Sequence, residues 1–236
     1  MKEYHKIDSI YKRDERGKFL IGQYSRPEFE YLKDLPWLWT EKINGTNIRV
    51  MLSSDPLDNR ILSISFGGKT DNAQIPAKLV EYLRKTFPSP TKMADVLGID
   101  AYPSEPVDIC LYGEGFGAGI EKGGGNYSPD QKFILFDVKI GKWWLLRKDV
   151  EDIAKDLGIP VVPLMMAGGV FTLEEVITMV YDTMNAPDSI KQYIGIPTSQ
   201  VSMNAKVEGY VGTPLVPLFA RNGDRIITKI KYKDFR

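Results

Sequence analysis

The sequence contains one cysteine, Cys110, and one histidine, His5. A lone cysteine excludes an intramolecular disulfide, and the two residues together are too few for a Cys/His zinc cluster or for a serine-histidine-aspartate triad that does not use His5 itself. Charge of one sign is also missing. The 31 Lys and Arg residues balance 31 Asp and Glu residues over 236 positions, so a polyanion has to be met by a local basic patch and not by the surface as a whole. No stretch approaches the ~18 uninterrupted apolar residues of a membrane span. The opening Met1-Lys2-Glu3-Tyr4-His5-Lys6 has no apolar core of the kind a secretory signal carries. The expectation is a cytoplasmic chain in a reducing compartment, with no membrane partner. No fixed-period repeat, low-complexity run or linker divides it. At 43% hydrophobic and 26% charged residues its composition is that of a globular protein, and a single domain, 1–236, is expected.

Two kinds of periodicity are present. Ile48, Val50 and Leu52 alternate with Asn47, Arg49 and Met51, and Leu62, Ile64 and Phe66 alternate with Ser63 and Ser65, which predicts a pair of half-buried strands. Asp108 to Tyr112 reads as a short buried strand. Phe133 to Ile140 alternates again, which predicts Ile134, Phe136, Val138 and Ile140 on one side, with Lys142 to Leu146 returning across Gly141. Asn222-Gly223-Asp224 predicts a hairpin between Val216–Arg221 and Arg225–Tyr232, so the C-terminus is expected to be a strand. Helical spacing appears at Pro76 to Phe87, at Lys148 to Leu157 before Gly158, after Thr172 with Glu175 as a capping box, and briefly after Pro187. Strands at both ends with helices inserted between them point to an α+β protein built on antiparallel sheets.

The chemistry concentrates in five segments. Glu41-Lys42-Ile43-Asn44-Gly45-Thr46-Asn47 reads as a tight turn feeding a strand, with Gly45 allowing the backbone to turn closely and the Lys42 amine at the mouth of a sheet. Glu114 stands among glycines at the end of a buried strand, and Glu208 stands beside Gly209 in apolar surroundings; a carboxylate so placed needs a partner. Phe133-Ile134-Leu135-Phe136-Asp137 is an aromatic strand closed by an acid. Lys229 and Lys231, two residues apart, point the same way, and their ammonium groups repel unless an anion lies between them. The glycine-rich run from Gly115 to Gly125 lacks the Gly-Lys-Ser/Thr ending of a phosphate-binding loop and reads as a mobile loop.

In this order and spacing the five segments resemble the covalent nucleotidyltransferase superfamily of ATP-dependent ligases and capping enzymes, most closely the RNA ligase 2 family. The resemblance spans Lys42 to Lys231. It implies a nucleotidyltransferase fold, the ATP-grasp-like ligase adenylation domain. It also implies an ATP-dependent RNA ligase in which Lys42 forms a lysyl-AMP intermediate, with Lys229 and Lys231 assisting at the phosphates. By the same resemblance Glu41, Ile43, Asn47, Lys69, Glu114, Phe136 and Glu208 bind ATP: Glu114 at a ribose hydroxyl, Phe136 stacked on adenine, Glu41 at the base, Lys69 at a phosphate. Glu208 and Asp137 are the candidate ligands of Mg2+, with Mn2+ as an alternative. The partner implied is RNA with 5′-phosphate and 3′-hydroxyl ends, with a separate nucleic-acid-binding or end-healing protein as a further candidate and a viral source as a candidate origin. The competing readings are a DNA ligase, a capping guanylyltransferase and a non-catalytic nucleic-acid-binding module. One position departs from the pattern: where RNA ligase 2 enzymes carry histidine before the glycine, and DNA ligases aspartate, this chain has Asn44. The length is that expected of a minimal catalytic domain without the C-terminal domain of larger ligases.

Overall fold

The alternating runs become strands, and the chain order is strand-rich at both ends. The structure, a computed structural model, describes residues 3–100, 103–191 and 195–236. Its elements are β1 (Asp8–Ser9), β2 (Tyr11–Arg13), β3 (Phe19–Tyr24), α1 (Pro27–Tyr31), β4 (Trp37–Glu41), β5 (Thr46–Ser54), β6 (Leu62–Gly67), α2 (Ala77–Thr86), α3 (Pro90–Val96), β7 (Asp108–Phe116), β8 (Lys132–Ile140), β9 (Trp143–Trp144), α4 (Arg147–Leu157), β10 (Val170–Phe171), α5 (Leu173–Asn185), α6 (Asp188–Lys191), β11 (Gly209–Pro214) and β12 (Thr228–Lys231). The α+β class with antiparallel sheets is therefore present. The chain divides into two compact units: a central-chain unit of Asn44–Val162 with Met1–Tyr4, and a terminal-chain unit of His5–Ile43 with Pro163–Arg236. Among the described residues no helix is long and apolar enough to cross a membrane.

In the central-chain unit the strands run in the order β6-β5-β7-β8-β9, every neighbour antiparallel. One face of the sheet is the core. Ile48, Val50 and Leu52 of β5, Ile109 and Leu111 of β7, and Phe133, Leu135 and Val138 of β8 pack with Leu79 and Leu83 of α2 and Val150 and Ala154 of α4. Full burial of such a side chain is worth roughly 1.5–3 kcal/mol, so this face dominates the stability of the unit. Helix α2 starts after Pro76, which sits at the N-cap, and α4 ends on Gly158 in the left-handed region at φ 69°. That conformation is the one glycine adopts without penalty.

The pattern of β8 differs from its sequence reading. Tyr112 pairs with Asp137 but Gly113 pairs with Leu135, so Phe136 is the extra residue of a β-bulge. The bulge exchanges the two faces: Phe133 and Leu135 join Val138 in the core, while Phe136 stays half-buried outside it. The expectation that Ile134 and Phe136 share a side with Val138 is thus corrected; strict alternation assumes a ladder without an extra residue.

In the terminal-chain unit the sheet order is β1-β12-β11-β4-β10, and β2 and β3 form a separate ribbon. Trp37, Trp39, Tyr210 and Ile230 pack with Leu173, Val176, Ile177 and Val180 of α5. The helix begins with the expected capping box between Thr172 and Glu175. The Asn-Gly turn forms, with Gly223 at φ 85°, but its first arm is reduced to one bridge, Phe219 to Arg225. Strand β12 pairs instead with β11 and, in parallel, with β1. The expected terminal strand is present but shorter, as β12, and a short 3-10 turn, Tyr232–Phe235, follows it. Tyr232 and Phe235 are buried there, and tightening the backbone keeps both rings in the core.

Candidate active site

Strand β4 buries Trp37, Trp39 and Glu41 and turns Leu38 and Thr40 away. Lys42, the next residue, is tied to β11 by its backbone N–H, which donates to the Gly209 carbonyl at 2.9 Å. Its amine lies 2.7 Å from Glu208 Oε2, and the Lys231 amine lies 2.6 Å from Glu208 Oε1. One carboxylate therefore bridges two ammonium groups. The register produces this arrangement, because Lys231 is paired with Gly209 across β11 and β12. Burial alone pushes the Glu208 carboxyl up, but the charges of Lys42 and Lys231 outweigh it and hold the group below the usual carboxylate range. Lys229, two residues back along β12, is pulled below the usual lysine range by burial, then by repulsion from Lys231 and Lys42. Two ammonium groups on one carboxylate, with Lys229 near enough to be repelled by both, leave an excess of positive charge, which suits a phosphate chain.

Gly209 is what lets the strands come this close. A Cβ at this position would lie 2.1 Å from the Ile230 carbonyl oxygen and 2.7 Å from the Lys231 Cα, both backbone atoms that cannot swing aside. Gly209→Ala is expected to cost about 1–3 kcal/mol in urea unfolding, the range for overpacking a filled site, and to displace Glu208 and Lys231 together. Unchanged stability in that variant would contradict the packing.

Glu41 faces the interior, 2% exposed. Its Oε2 accepts from the backbone N–H of Gln200 at 3.1 Å, and Oε1 is buried with no hydrogen-bond partner. Burial raises its pKa, against the pull of Ser199 and Gln200. An empty buried acceptor is costly, and it marks a place for a donor. Ser199 and Gln200 had no role in the sequence reading, since neither belongs to a motif and only the fold brings them to Glu41. Ile43 follows, 3% exposed, as the last residue of the terminal-chain unit.

The remaining candidates stand on the central-chain unit, all but Lys69 on the sheet face turned away from its helices. Asn47 of β5 lies directly opposite Glu114 of β7, and Asn47 Oδ1 is a second buried acceptor with no partner. The glycines around Glu114 face the core. A Cβ on Gly113 would meet the Phe133 ring at 2.3 Å, and one on Gly115 would meet Leu79 at 2.4 Å. Gly45 acts similarly: its Cβ would lie 2.1 Å from the Gly115 carbonyl oxygen, so the residue is required by the approach of β7, and Lys42 to Asn44 form an irregular link that bends at Gly45 before β5 begins at Thr46. Asn44 Nδ2 is 3.5 Å from the Lys122 carbonyl.

Lys69 is exposed on the loop after β6. That loop is held by Arg49, 1% exposed, which donates to the Gly68 carbonyl and to Asp71 Oδ1, each at 2.8 Å. The signal for this clamp was in the sequence, as an arginine inside an apolar strand has to be paired. Asp137 accepts from the Tyr4 hydroxyl at 2.7 Å and belongs to the central-chain unit, whereas Glu208 belongs to the other. The glycine-rich run after β7 is closed by hydrogen bonds from Ala118 N–H to Ser128 and from Gln131 to Ala118.

The fit to a metal rests on Glu208. Among the described residues no group of three or more His, Cys, Asp or Glu side chains could hold an ion. Magnesium held by one or two carboxylates, with phosphate oxygens and waters completing its shell, needs no such group.

The comparison with known families gives a match: the RNA ligase model fits residues 35–231. The chain belongs to the RNA ligase family. Solved structures agree on the fold of this RNA ligase family member. A mutant of Naegleria gruberi RNA ligase with ATP and Mn is 16% identical at a TM-score of 0.62, covering 98% of this chain and 56% of that one. An apo mutant of the same enzyme is 18% identical at 0.59, covering 99% and 58%. Another mutant with ATP and Mn is 18% identical at 0.58, covering 88% and 54%. The family member described here thus spans little more than half the length of these structures. No curated protein matches it.

Proposed function

We propose that this chain is the catalytic unit of an ATP-dependent RNA ligase that works through a lysyl-AMP on Lys42. The observation that carries the reading is the Lys42 amine held 2.7 Å from a carboxylate that also holds Lys231, with Lys229 on the same strand. Lys42 leaves its ion pair, loses a proton, and its lone pair attacks the α-phosphorus of ATP. A P–N bond forms, the bond to the β-phosphate breaks, and pyrophosphate departs. Lys229 and Lys231 offset the charge gathering on the phosphate oxygens. A 5′-phosphate oxygen of RNA then attacks the same phosphorus and breaks the P–N bond, and the amine recovers its proton. Finally a 3′-hydroxyl attacks the 5′-phosphorus, loses its proton, and expels AMP.

Glu114 and Asn47 supply acceptors for ribose hydroxyls, Phe136 supplies a flat face for adenine, and the empty Oε1 of Glu41 accepts from an amino group of the base. Lys69 contacts phosphate from its exposed loop. Magnesium, when bound at Glu208 with the phosphates, supplies charge that stabilises the pentavalent phosphorus. Asp137, already bonded to Tyr4, is the weaker of the two metal candidates.

The test is intact-protein mass spectrometry after incubation with ATP and magnesium, followed by a sealing assay with 5′-phosphorylated RNA. A gain of one AMP and a joined product are expected; a chain that takes up no AMP, and was not purified already carrying it, removes the ligase reading. Lys229→Ala is expected to slow adduct formation about 10²-fold, the usual loss for one electrostatic group in a transition state, measured by the rate of AMP uptake. A rate within 2-fold of wild type would remove Lys229 from the chemistry.

A further inference from the structure

We infer that Tyr4 is a positioning residue for the base-stacking ring: it fixes Phe136 at the β8 bulge and so sets how tightly the nucleotide base is held. The inference rests on the proposed role of Phe136 and adds the residue that makes this role possible.

A bulged residue is the one place in a strand where neither ladder pairing nor alternation holds a side chain. Phe136 is such a residue. It lies outside the core cluster of its unit, so a ring there needs another support to be a rigid stacking face. Tyr4 is placed to give it. The two rings are 5.1 Å apart at 75°, an edge-on contact of the favoured kind.

Tyr4 is itself fixed by three strands. Its ring lies 5.1 Å from Tyr112 of β7 and 5.6 Å from Trp144 of β9, and its hydroxyl donates to Asp137 of β8 at 2.7 Å. Tyr112 and Trp144 also touch each other, with centroids 5.3 Å apart, and the Lys139 amine sits 5.2 Å from the Trp144 ring. The chain grouping shows the same attachment, since Tyr4 belongs to the central-chain unit while His5 begins the other. Asp137, whose sequence reading was a metal ligand, becomes in this account the anchor of the tyrosine hydroxyl.

The experiment measures Lys42 adenylylation against ATP concentration in the full chain, for Tyr4→Ala, Tyr4→Leu, Tyr4→Phe, Phe136→Ala and the double variant Tyr4→Ala/Phe136→Ala. Losing the ring should raise the half-saturating ATP concentration about 3–10-fold while leaving the rate at saturation within about 2-fold. Tyr4→Phe, which keeps the ring, should restore most of the affinity. The double variant should be no worse than Phe136→Ala alone, because the two residues act as a unit. Tyr4→Leu keeps apolar bulk and serves if the alanine variant fails to fold. The proposal is overturned if Phe136→Ala weakens ATP binding and the Tyr4 variants do not, or if the two effects multiply. A fall in saturating rate and melting temperature without a change in half-saturation also overturns it, as that is a purely structural role. If Phe136→Ala itself leaves the ATP dependence unchanged, the stacking reading fails first and takes this inference with it.

Discussion

Lys42→Ala should take up no AMP at all and should still fold. The amine is the only atom at that position that can make the P–N bond, so its removal is not a graded loss. The structural cost is small: the Lys42 side chain is 23% exposed, and Glu208 keeps its second partner, Lys231, at 2.6 Å. A partly exposed ion pair is worth about 0–1 kcal/mol, so the melting temperature should move by only a few degrees. Lys42→Arg sharpens the test. Arginine can restore the pair with Glu208 but is not deprotonated in proteins, so it should regain stability and gain no adduct. Once AMP is on the RNA 5′-phosphate the lysine has finished its part. Both variants should therefore retain measurable sealing of pre-adenylylated RNA, which separates lost chemistry from lost folding. Persistence of the adduct in Lys42→Ala, read by intact mass, would assign the nucleophile elsewhere.

What the sequence made legible follows from how local each cause is. The capping box of Thr172 and Glu175, the helix stop at Gly158 and the return across Gly141 each depend on a few neighbouring residues, and all three are present. The bulge at Phe136 depends on how β8 registers against β7, which no periodicity within β8 can reveal. Strand β1 was invisible for a similar reason, as its two residues form a strand only because β12, some two hundred positions away, pairs with them. The site divides along the same line. Lys229 and Lys231 share a face by strand geometry alone, and this could be read in advance. That Glu208 joins Lys231 to Lys42 could not, because it needs the β11–β12 register and the closeness that Gly209 permits. The reason for the glycines beside Glu114 was equally out of reach: Gly113 and Gly115 are small because Phe133 and Leu79 fill the space in front of them.

Glu208→Gln should be the next most damaging change, and pH separates its two consequences. In the folded chain the carboxylate sits between Lys42 and Lys231 and its pKa is lowered. A lowered carboxyl contributes stability that is fully present above its unfolded value, about 4.3, and is lost as pH falls through the folded value. At pH 7 the glutamine variant leaves two ammonium groups with a neutral partner, a loss of about 1.5–3 kcal/mol on the scale of hydrogen bonds to charged groups. As the solution is made acidic the wild-type carboxyl becomes protonated, and the gap between the two proteins should close. A thermal melt series from pH 7 to below pH 4 reads this directly; a gap that stays constant would mean that the ion pairs contribute nothing to stability. Activity should behave differently. Glutamine frees Lys42 from its ion pair but removes the carboxylate that is the stronger candidate to face a divalent cation. AMP uptake is therefore expected to fall about 10²–10³-fold at neutral pH, as for other preorganised electrostatic groups. If it rose instead, Glu208 would be a restraint on the nucleophile and not part of the machinery that activates the phosphate.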